Sequence, residues 1–382
     1  MRAERRELFA SVDISEPGDS EERTHMEAKN IPTYELGAFI DLIEKSPDIL
    51  AEHPCLITGF VEQWPAYTQW NRHAALQRLF GHLPVTAGAP QFVTNAHSRM
   101  CQVRTTFGDY LEYVNDPARL SSLFHGCWIK GDESLFRELD LPLYCGNLQL
   151  VRHAASPVLK DLSPLLPGSL ACFNDEIPYY YQSGNHVWLY VSLAGALTPL
   201  HQDNNAVIAY LAQIRGCKEA ILYSPEDKAH FYNPDVGYLD PLAPDETFFP
   251  TWREARPWTG SLAAGDLLIW GPQWAHHVVT RSDSITVSFD IVNQLNLQAY
   301  ADAMDWRAEL GLFARKQADL VRSRVDDEDV LGKLDQGPVE ELGCALMICV
   351  LRAALKGEAT ARSRHVKEQL LQYLADCEVV PV

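Results

Sequence analysis

The amino-acid sequence predicts a mainly β protein with added helices, an α+β fold whose core is an antiparallel barrel or jelly roll. Two observations predict this class. Short apolar runs rich in Val, Ile, Tyr and Trp follow one another between residues 188 and 289, and Gly, Pro and Asp separate them. Outside that region, apolar residues recur at helical spacing instead. Many short strands with frequent turn residues are typical of closed antiparallel folds.

Each central run is predicted to be one strand because it is short, contains β-branched or aromatic residues and ends at turn residues. The predicted strands are residues 188–192, 207–214, 218–223, 267–270 and 284–289, with another short strand that begins at His276. Between the third and fourth strands, Pro225 to Pro257 is rich in Pro, Asp and aromatic residues and is predicted to be a long insert. Such loops usually shape the choice of substrate.

The regions on either side of the strands are predicted to be a tail and helices. Residues 1–30 are polar and acidic, which favours a flexible tail. Apolar residues at helical spacing predict a helix from Tyr34 to Leu50, and Phe107 to Asp140 is predicted to be mostly helix or loop packed outside the barrel. We therefore divide the chain into a tail (1–30), a β domain (31–296) and a C-terminal helical region (297–382).

His201 and Asp203 form the most informative motif of the chain. Side chains two residues apart in a strand project to the same side, so this imidazole and this carboxylate can bind one ion. A second imidazole from a distant strand would complete the two-His, one-carboxylate triangle of non-haem Fe(II) sites, which leaves coordination positions open. The spacing from Trp274 favours His276 for this role, with His277 as the alternative. In the competing interpretation, the His and Asp side chains only hydrogen-bond to one another.

Four segments in a fixed order carry a family resemblance. They are Pro54 to Gly59 with Trp64-Pro65-Ala66, then Thr198 to Asp203, then Gln213 to Lys218, and finally Gly265 to Leu268 leading to Trp274-Ala275-His276-His277-Val278. With them, the stretch from Ile31 to Asn296 resembles the JmjC/cupin-like 2-oxoglutarate oxygenases, closest in pattern to the asparaginyl hydroxylase factor-inhibiting HIF and small JmjC hydroxylases. The resemblance implies a double-stranded β-helix, which is a jelly roll, with flanking N-terminal helices and a C-terminal helical region.

The same resemblance implies roles for individual residues. His201, Asp203 and His276 would form the catalytic centre by binding Fe(II), with 2-oxoglutarate as co-substrate and O2 as oxidant. Lys218 would bind the distal carboxylate of 2-oxoglutarate, and Thr198 and Tyr144 would help it. Between Asp203 and Gln213 the chain is longer than the asparaginyl hydroxylase, and Asn204, Asn205 and Ser288 are candidates for an Asn that the family uses near the metal.

The implied function is an Fe(II)- and 2-oxoglutarate-dependent dioxygenase that hydroxylates a carbon–hydrogen bond of an amino-acid side chain. The substrate would be a protein, a peptide or a small molecule, and succinate and CO2 would be the co-products. Two alternatives remain open: an N-methyl-lysine demethylase of the same family, and a metal-binding cupin that is not an oxygenase. Lys218 argues against the last alternative, because such a protein has no need for a cation at the far wall of the barrel.

Composition limits the partners and the compartment. The formal net charge of −19 over 382 residues argues against a nucleic-acid partner, which requires a basic surface. No apolar run approaches the length of a membrane span, so no membrane partner is expected. Nine scattered Cys residues without a regular spacing favour a reduced, cytoplasmic location. Related proteins often dimerise through C-terminal helices, so the apolar stripe between Leu342 and Leu355 predicts a homodimer.

Overall fold

Seventeen strands form the framework of the structure, a computed structural model that describes residues 28–149, 160–166, 187–203, 206–291, 295–296 and 299. The strands are β1 (Lys29–Asn30), β2 (Thr33–Glu35), β3 (Cys55–Thr58), β4 (Pro84–Ala89), β5 (Cys101–Thr106), β6 (Trp128–Lys130), β7 (Tyr144–Gln149), β8 (Val187–Ser192), β9 (Leu197–Gln202), β10 (Ile208–Arg215), β11 (Cys217–Tyr223), β12 (Tyr232–Asn233), β13 (Gly237–Tyr238), β14 (Trp258–Ala263), β15 (Leu267–Trp270), β16 (Ala275–Thr280) and β17 (Ser284–Ile291).

The strands assemble into two large sheets and a small ribbon. A five-stranded sheet has the order β1-β14-β11-β16-β9, and a ten-stranded sheet has the order β2-β3-β15-β10-β17-β8-β7-β4-β5-β6. From β8 onward the chain passes repeatedly between them: β8, β10, β15 and β17 lie in the larger sheet, and β9, β11, β14 and β16 lie in the smaller one. Two sheets built by alternating strands make a jelly roll, so the predicted fold class is confirmed.

Short helices surround the sheets. They are α1 (Leu36–Lys45), α2 (Ile49–Glu52), α3 (Pro65–Gln69), α4 (His73–Phe80), α5 (Phe107–Asn115), α6 (Leu120–Leu123), α7 (Glu133–Leu139) and α8 (Lys228–Phe231). Helix α5 begins where the hydroxyl of Thr106 accepts a hydrogen bond from the Asp109 N–H, which satisfies one of the free amide groups of the first turn. None of the described helices has the length and apolar character required to span a membrane.

The core lies between the sheets and under the N-terminal helices. Residues Ile208 to Ile214 of β10 are all buried, because this strand has a neighbour on each side and α3 packs against it. Trp64 and Trp70 flank α3, and both are fully buried. Full burial of each of these large side chains contributes roughly 3 kcal/mol or more to the driving force for folding.

Most predicted elements agree with the structure, and three predictions differ from it. The helix predicted from Tyr34 is shorter, because Tyr34 belongs to β2 and Pro47 separates α1 from α2. Proline disfavours the α conformation in the residue that precedes it, which explains the break between the two helices. The region from Phe107 to Asp140 also contains β6, a strand that the sequence analysis missed. The predicted tail of residues 1–30 is wrong at its end, because Lys29 and Asn30 form β1 and pair with β14. Residues 1–27, the C-terminal helices and their homodimer lie outside the described residues, and the other domain boundaries stay predictions.

Tyr110 of α5 connects this helix to the strands that carry the site. Its hydroxyl lies 2.7 Å from the Val191 carbonyl and 3.1 Å from the Leu143 carbonyl, and it accepts a hydrogen bond from the Cys145 N–H at 3.2 Å. One hydroxyl has one proton, so it donates to one carbonyl at a time.

We expect Tyr110→Phe to lower the free energy of unfolding by about 1–3 kcal/mol, because it leaves buried backbone groups without a partner. Urea denaturation measures the loss. Tyr113→Phe is the matched control, since the Tyr113 hydroxyl makes a single such bond, to the Leu143 N–H at 3.2 Å, and we expect a smaller loss. Equal stability of Tyr110→Phe and the unmodified protein would contradict this role.

Candidate metal centre

The pairing of β9 with β16 brings two distant histidines together. His201 lies directly opposite His276 in this antiparallel pair, and their ring centroids are 4.1 Å apart. Asp203 follows just beyond the end of β9. Its Oδ1 atom lies 3.7 Å from His201 Nε2 and 3.8 Å from His276 Nε2. One ligand atom of each residue lies within 4.8 Å of the others, which is close enough to hold a single metal ion.

A β-bulge sets which side chains of β9 face the interior. His201 pairs with His276, but Thr198 pairs with Val278, so three steps along β9 match two along β16. An extra residue of this kind is a bulge, and Pro199 lies within it, a position where a strand tolerates proline. Side chains directly opposite each other share a face, so Thr198 and His201 lie on one face despite their odd spacing.

Backbone carbonyls orient both imidazoles. His201 Nδ1 lies 2.9 Å from the Pro199 carbonyl oxygen, and His276 Nδ1 lies 3.4 Å from the Trp274 carbonyl oxygen. A carbonyl only accepts, so each Nδ1 carries the proton and each Nε2 keeps a free lone pair directed towards Asp203. Burial, and next the neighbouring His276, lowers the pKa of His201 to about 4. This imidazole is therefore neutral near pH 7, as a metal ligand must be.

Aromatic rings pack against the two imidazoles. The ring of Phe92 packs edge-on against the His201 ring, with 4.8 Å between the ring centroids. The rings of Trp270 and His276 have their centroids 4.6 Å apart. The sequence analysis missed both contacts. His277 is also buried, but it is not part of the cluster, and neither of its ring nitrogens has a hydrogen-bond partner among the described residues. Of the two adjacent histidines, the structure therefore brings His276 to Asp203.

Lys218 lies deeper in the barrel. It lies opposite Thr280 in the pairing of β11 with β16. Thr280 is four residues after His276 on β16, so Lys218 lies roughly 13 Å from His276 along the strand direction. Its ammonium group donates to the Tyr144 hydroxyl at 2.8 Å and to the Thr280 hydroxyl at 3.3 Å. Thr198 also interacts with the Tyr144 hydroxyl. The three residues predicted to bind a carboxylate, Lys218, Tyr144 and Thr198, thus lie together and are all buried.

No carboxylate among the described residues forms an ion pair with Lys218. Burial without an anion lowers the pKa of this lysine from 10.5 to about 7. Charging it in the free protein therefore costs about 5 kcal/mol more than in water. A buried cation surrounded by neutral hydroxyls is suited to an anionic ligand, which would restore the missing charge partner. Lys218 thus places a buried positive charge on the same face of the five-stranded sheet as His276.

The insert between β11 and β14 is anchored beside the metal centre. The Tyr238 hydroxyl donates to Gln202 Oε1 at 3.2 Å, and Gln202 directly follows His201. The insert also contacts the loop after β4: the Tyr238 N–H donates to the Thr94 carbonyl at 2.9 Å, and the Ala96 N–H donates to the Val236 carbonyl at 2.6 Å. The insert therefore packs on the face of the five-stranded sheet opposite to His201, and its role in substrate choice stays a prediction.

A protein-family model described as a cupin-like domain matches residues 47–290, which is more than half of the chain and includes every residue of the site described above. The chain belongs to the cupin-like domain family. The resemblance to JmjC and cupin-like proteins that the sequence predicts is thereby confirmed.

Several curated relatives of this cupin-like protein have JmjC-type names. It is 23% identical to human HSPB1-associated protein 1 over 338 residues, covering 82% of this chain and 61% of that protein. It is 23% identical to the human bifunctional peptidase and (3S)-lysyl hydroxylase JMJD7, covering 63% and 78% of the two chains. It is 25% identical to lysine-specific demethylase JMJ30 of Arabidopsis thaliana, covering 62% and 49%. The chain spans about half to three fifths of the length of the relatives that match it most strongly.

The remaining polar candidates are only partly described. Ser288 lies on β17, is buried and shares a hydrogen bond with Tyr190. Asn204 and Asn205 lie outside the described residues.

We expect Asp203→Ala to weaken Mn(II) binding by at least about a hundredfold, because it removes the anionic ligand that both imidazoles face. Isothermal titration calorimetry with Mn(II) in the absence of oxygen measures the change. His277→Leu is the matched control: it alters a buried histidine next to the site but outside the cluster, and we expect Mn(II) to bind it normally. Unchanged Mn(II) affinity in Asp203→Ala would show that the ion binds elsewhere.

Proposed function

We propose that this cupin-like protein is an Fe(II)- and 2-oxoglutarate-dependent dioxygenase that hydroxylates a carbon–hydrogen bond of an amino-acid side chain. A single observation carries the proposal: the jelly roll that brings together His201, Asp203 and His276 also contains Lys218, a buried cation with no ion pair among the described residues. A metal cluster alone is compatible with many cupin activities. A metal cluster together with a carboxylate-binding pocket favours a chelating 2-oxo diacid.

Each residue has a distinct role in the proposed reaction. His201, Asp203 and His276 would hold Fe(II). Tyr144, Thr198 and Lys218 bind and orient the distal carboxylate of 2-oxoglutarate. Phe92 and Trp270 pack on the imidazoles and limit the access of water. When bound, Fe(II) and 2-oxoglutarate supply the oxidative chemistry: one oxygen atom of O2 enters the substrate C–H bond, and 2-oxoglutarate becomes succinate and CO2.

The substrate class is proposed from the relatives. One relative is named a lysyl hydroxylase, which supports an amino-acid side chain in a protein, peptide or small molecule as the target. Another is named a lysine-specific demethylase, which favours N-methyl-lysine demethylation as the second candidate function. Hydroxylation of an N-methyl group releases formaldehyde, so a formaldehyde assay with a methylated peptide distinguishes the two reactions.

We also propose a reduced, cytoplasmic location. Cys55, Cys101, Cys127 and Cys217 form no disulfide among the described residues, and thiols persist in reducing compartments.

An anaerobic titration of the Fe(II)-loaded protein with 2-oxoglutarate tests the proposed function. We expect the weak visible charge-transfer band of a metal-chelated 2-oxo acid, and we expect Lys218→Ala to require far more 2-oxoglutarate to produce it. Succinate formation on admission of air, in the presence of candidate peptides, then identifies the substrate. Bound iron without any such band would refute the oxygenase and favour a cupin of different activity.

The lowered pKa of Lys218 predicts how the binding of 2-oxoglutarate depends on pH. Below pH 7 the lysine is already protonated, whereas above pH 7 it is neutral and must take up a proton when a carboxylate binds. The dissociation constant should be flat below pH 7 and should rise by about tenfold per pH unit above it. Calorimetry with Mn(II)-loaded protein in buffers of different ionisation enthalpy measures both affinity and proton uptake.

Lys218→Arg is the matched control for this prediction, because a guanidinium stays charged throughout the range. Its affinity for 2-oxoglutarate should not vary between pH 7 and pH 9, whatever its absolute value. A flat profile in the unmodified protein would contradict the assignment of the charge-restoring role to Lys218.

A further inference from the structure

Gln91 reaches the co-substrate pocket from a turn that the sequence analysis did not single out. The chain leaves β4 through Gly88 and Ala89 and reverses so tightly that a Cβ at Gly88 would lie 2.6 Å from the Gln91 carbonyl oxygen. The Gln91 N–H then donates to the Leu197 carbonyl at 3.2 Å. This contact places residue 91 against the start of β9, next to Thr198.

The side chain of Gln91 bridges two strands of different sheets. Its Oε1 accepts a hydrogen bond from the Thr198 hydroxyl at 3.0 Å, and its Nε2 donates to the Gly146 carbonyl at 3.1 Å. Thr198 lies on β9, the edge of the five-stranded sheet, whereas Gly146 lies on β7 of the ten-stranded sheet. These two strands do not pair with each other, so the Gln91 amide joins them through its own two hydrogen bonds. We call this junction between β7 and β9 the seam.

Gly146 provides the space for this contact. A Cβ atom added at this position would overlap Nε2 and Cδ of Gln91. The residue cannot carry a side chain unless Gln91 moves away. Gln91 and Gly146 therefore form a matched pair, in which one residue supplies the amide and the other leaves room for it.

A chain of polar contacts links this amide to the buried cation. Lys218 donates to Tyr144, the Tyr144 hydroxyl interacts with Thr198, and Thr198 donates to Gln91. Every residue that we propose for the distal carboxylate of 2-oxoglutarate is thus connected to Gln91. Without the amide, the Thr198 hydroxyl loses its anchor, and water can enter the seam and weaken the attraction between Lys218 and a carboxylate.

We propose that Gln91 is a positioning residue for the co-substrate: it holds Thr198 and closes the seam between β7 and β9 so that the carboxylate pocket stays ordered and dry. The inference rests on the proposed function. It concerns binding of 2-oxoglutarate rather than the chemical step, so it predicts a changed affinity with little change in turnover at saturating 2-oxoglutarate.

The test measures the affinity of Mn(II)-loaded, oxygen-free protein for 2-oxoglutarate by calorimetry. Gln91→Met keeps the size of the side chain but removes both hydrogen bonds, and we expect about tenfold weaker binding. Gly146→Ala should have the same effect by displacing Gln91. The double variant Gln91→Ala/Gly146→Ala should be no weaker than Gln91→Ala alone, because no amide remains to be displaced. Mn(II) affinity should be unchanged in all of them.

Asn95→Ala is the control within the same loop. Asn95 Nδ2 donates to the Tyr238 carbonyl at 2.8 Å, so this variant loosens the far end of the loop without touching the seam, and its affinity for 2-oxoglutarate should be unchanged. Normal binding by Gln91→Met, additive losses in the double variant, or an equal loss in Asn95→Ala would each overturn the inference. Failure of the unmodified protein to bind 2-oxoglutarate would instead overturn the proposed function on which it rests.

Discussion

The register between β9 and β16 is the constraint on which the rest of the site depends. It sets His201 against His276 and brings Asp203 within reach of both, although the two histidines are far apart in the sequence. The bulge at Pro199 then turns Thr198 to the same face. A shift of one residue in this pairing would direct one imidazole to the opposite face and separate the cluster. The pairing of two strands thus positions the cluster of His201, Asp203 and His276 and also Thr198.

Lys218 imposes an energetic cost that the isolated fold does not offset. Its surroundings supply hydroxyl acceptors from Tyr144 and Thr280 but no negative charge among the described residues. Proteins rarely keep a cation buried without a partner, because desolvation of the charge costs several kcal/mol. A ligand that carries a carboxylate changes this balance, since it supplies the missing charge in a region where water does not screen the attraction. The desolvation cost of the Lys218 charge therefore favours the binding of an anionic ligand over a neutral one.

The centre of the site is built from strands, whereas its border is built from loops. The two histidines of the metal cluster and the lysine lie on strands of the jelly roll, whose positions are set by hydrogen-bonded pairing with their neighbours. Beside His201 the border comes instead from the loop after β4, which supplies Phe92 and contacts the insert through Thr94, Ala96, Val236 and Tyr238. Loops can change without disturbing the pairing of the strands, so one reaction centre can serve different substrates.

The sequence by itself determined the local features of this protein. Alternating apolar residues and turn residues predicted β8, β10, β11, β15, β16 and β17 close to their observed bounds, and the period of a strand predicted that His201 and Asp203 share a face. Family resemblance directed attention to Lys218, Thr198 and Tyr144, which the fold brings together.

Only the tertiary structure decided between His276 and His277, because adjacent residues of a strand face opposite sides and the pairing register selects one of them. Only the structure revealed β6, whose pairing with β5 has no local signal, and Gln91, whose contacts with Thr198 and Gly146 join two sheets. Local propensity acts between neighbours in sequence, whereas these features depend on which distant segments the closed barrel brings into contact.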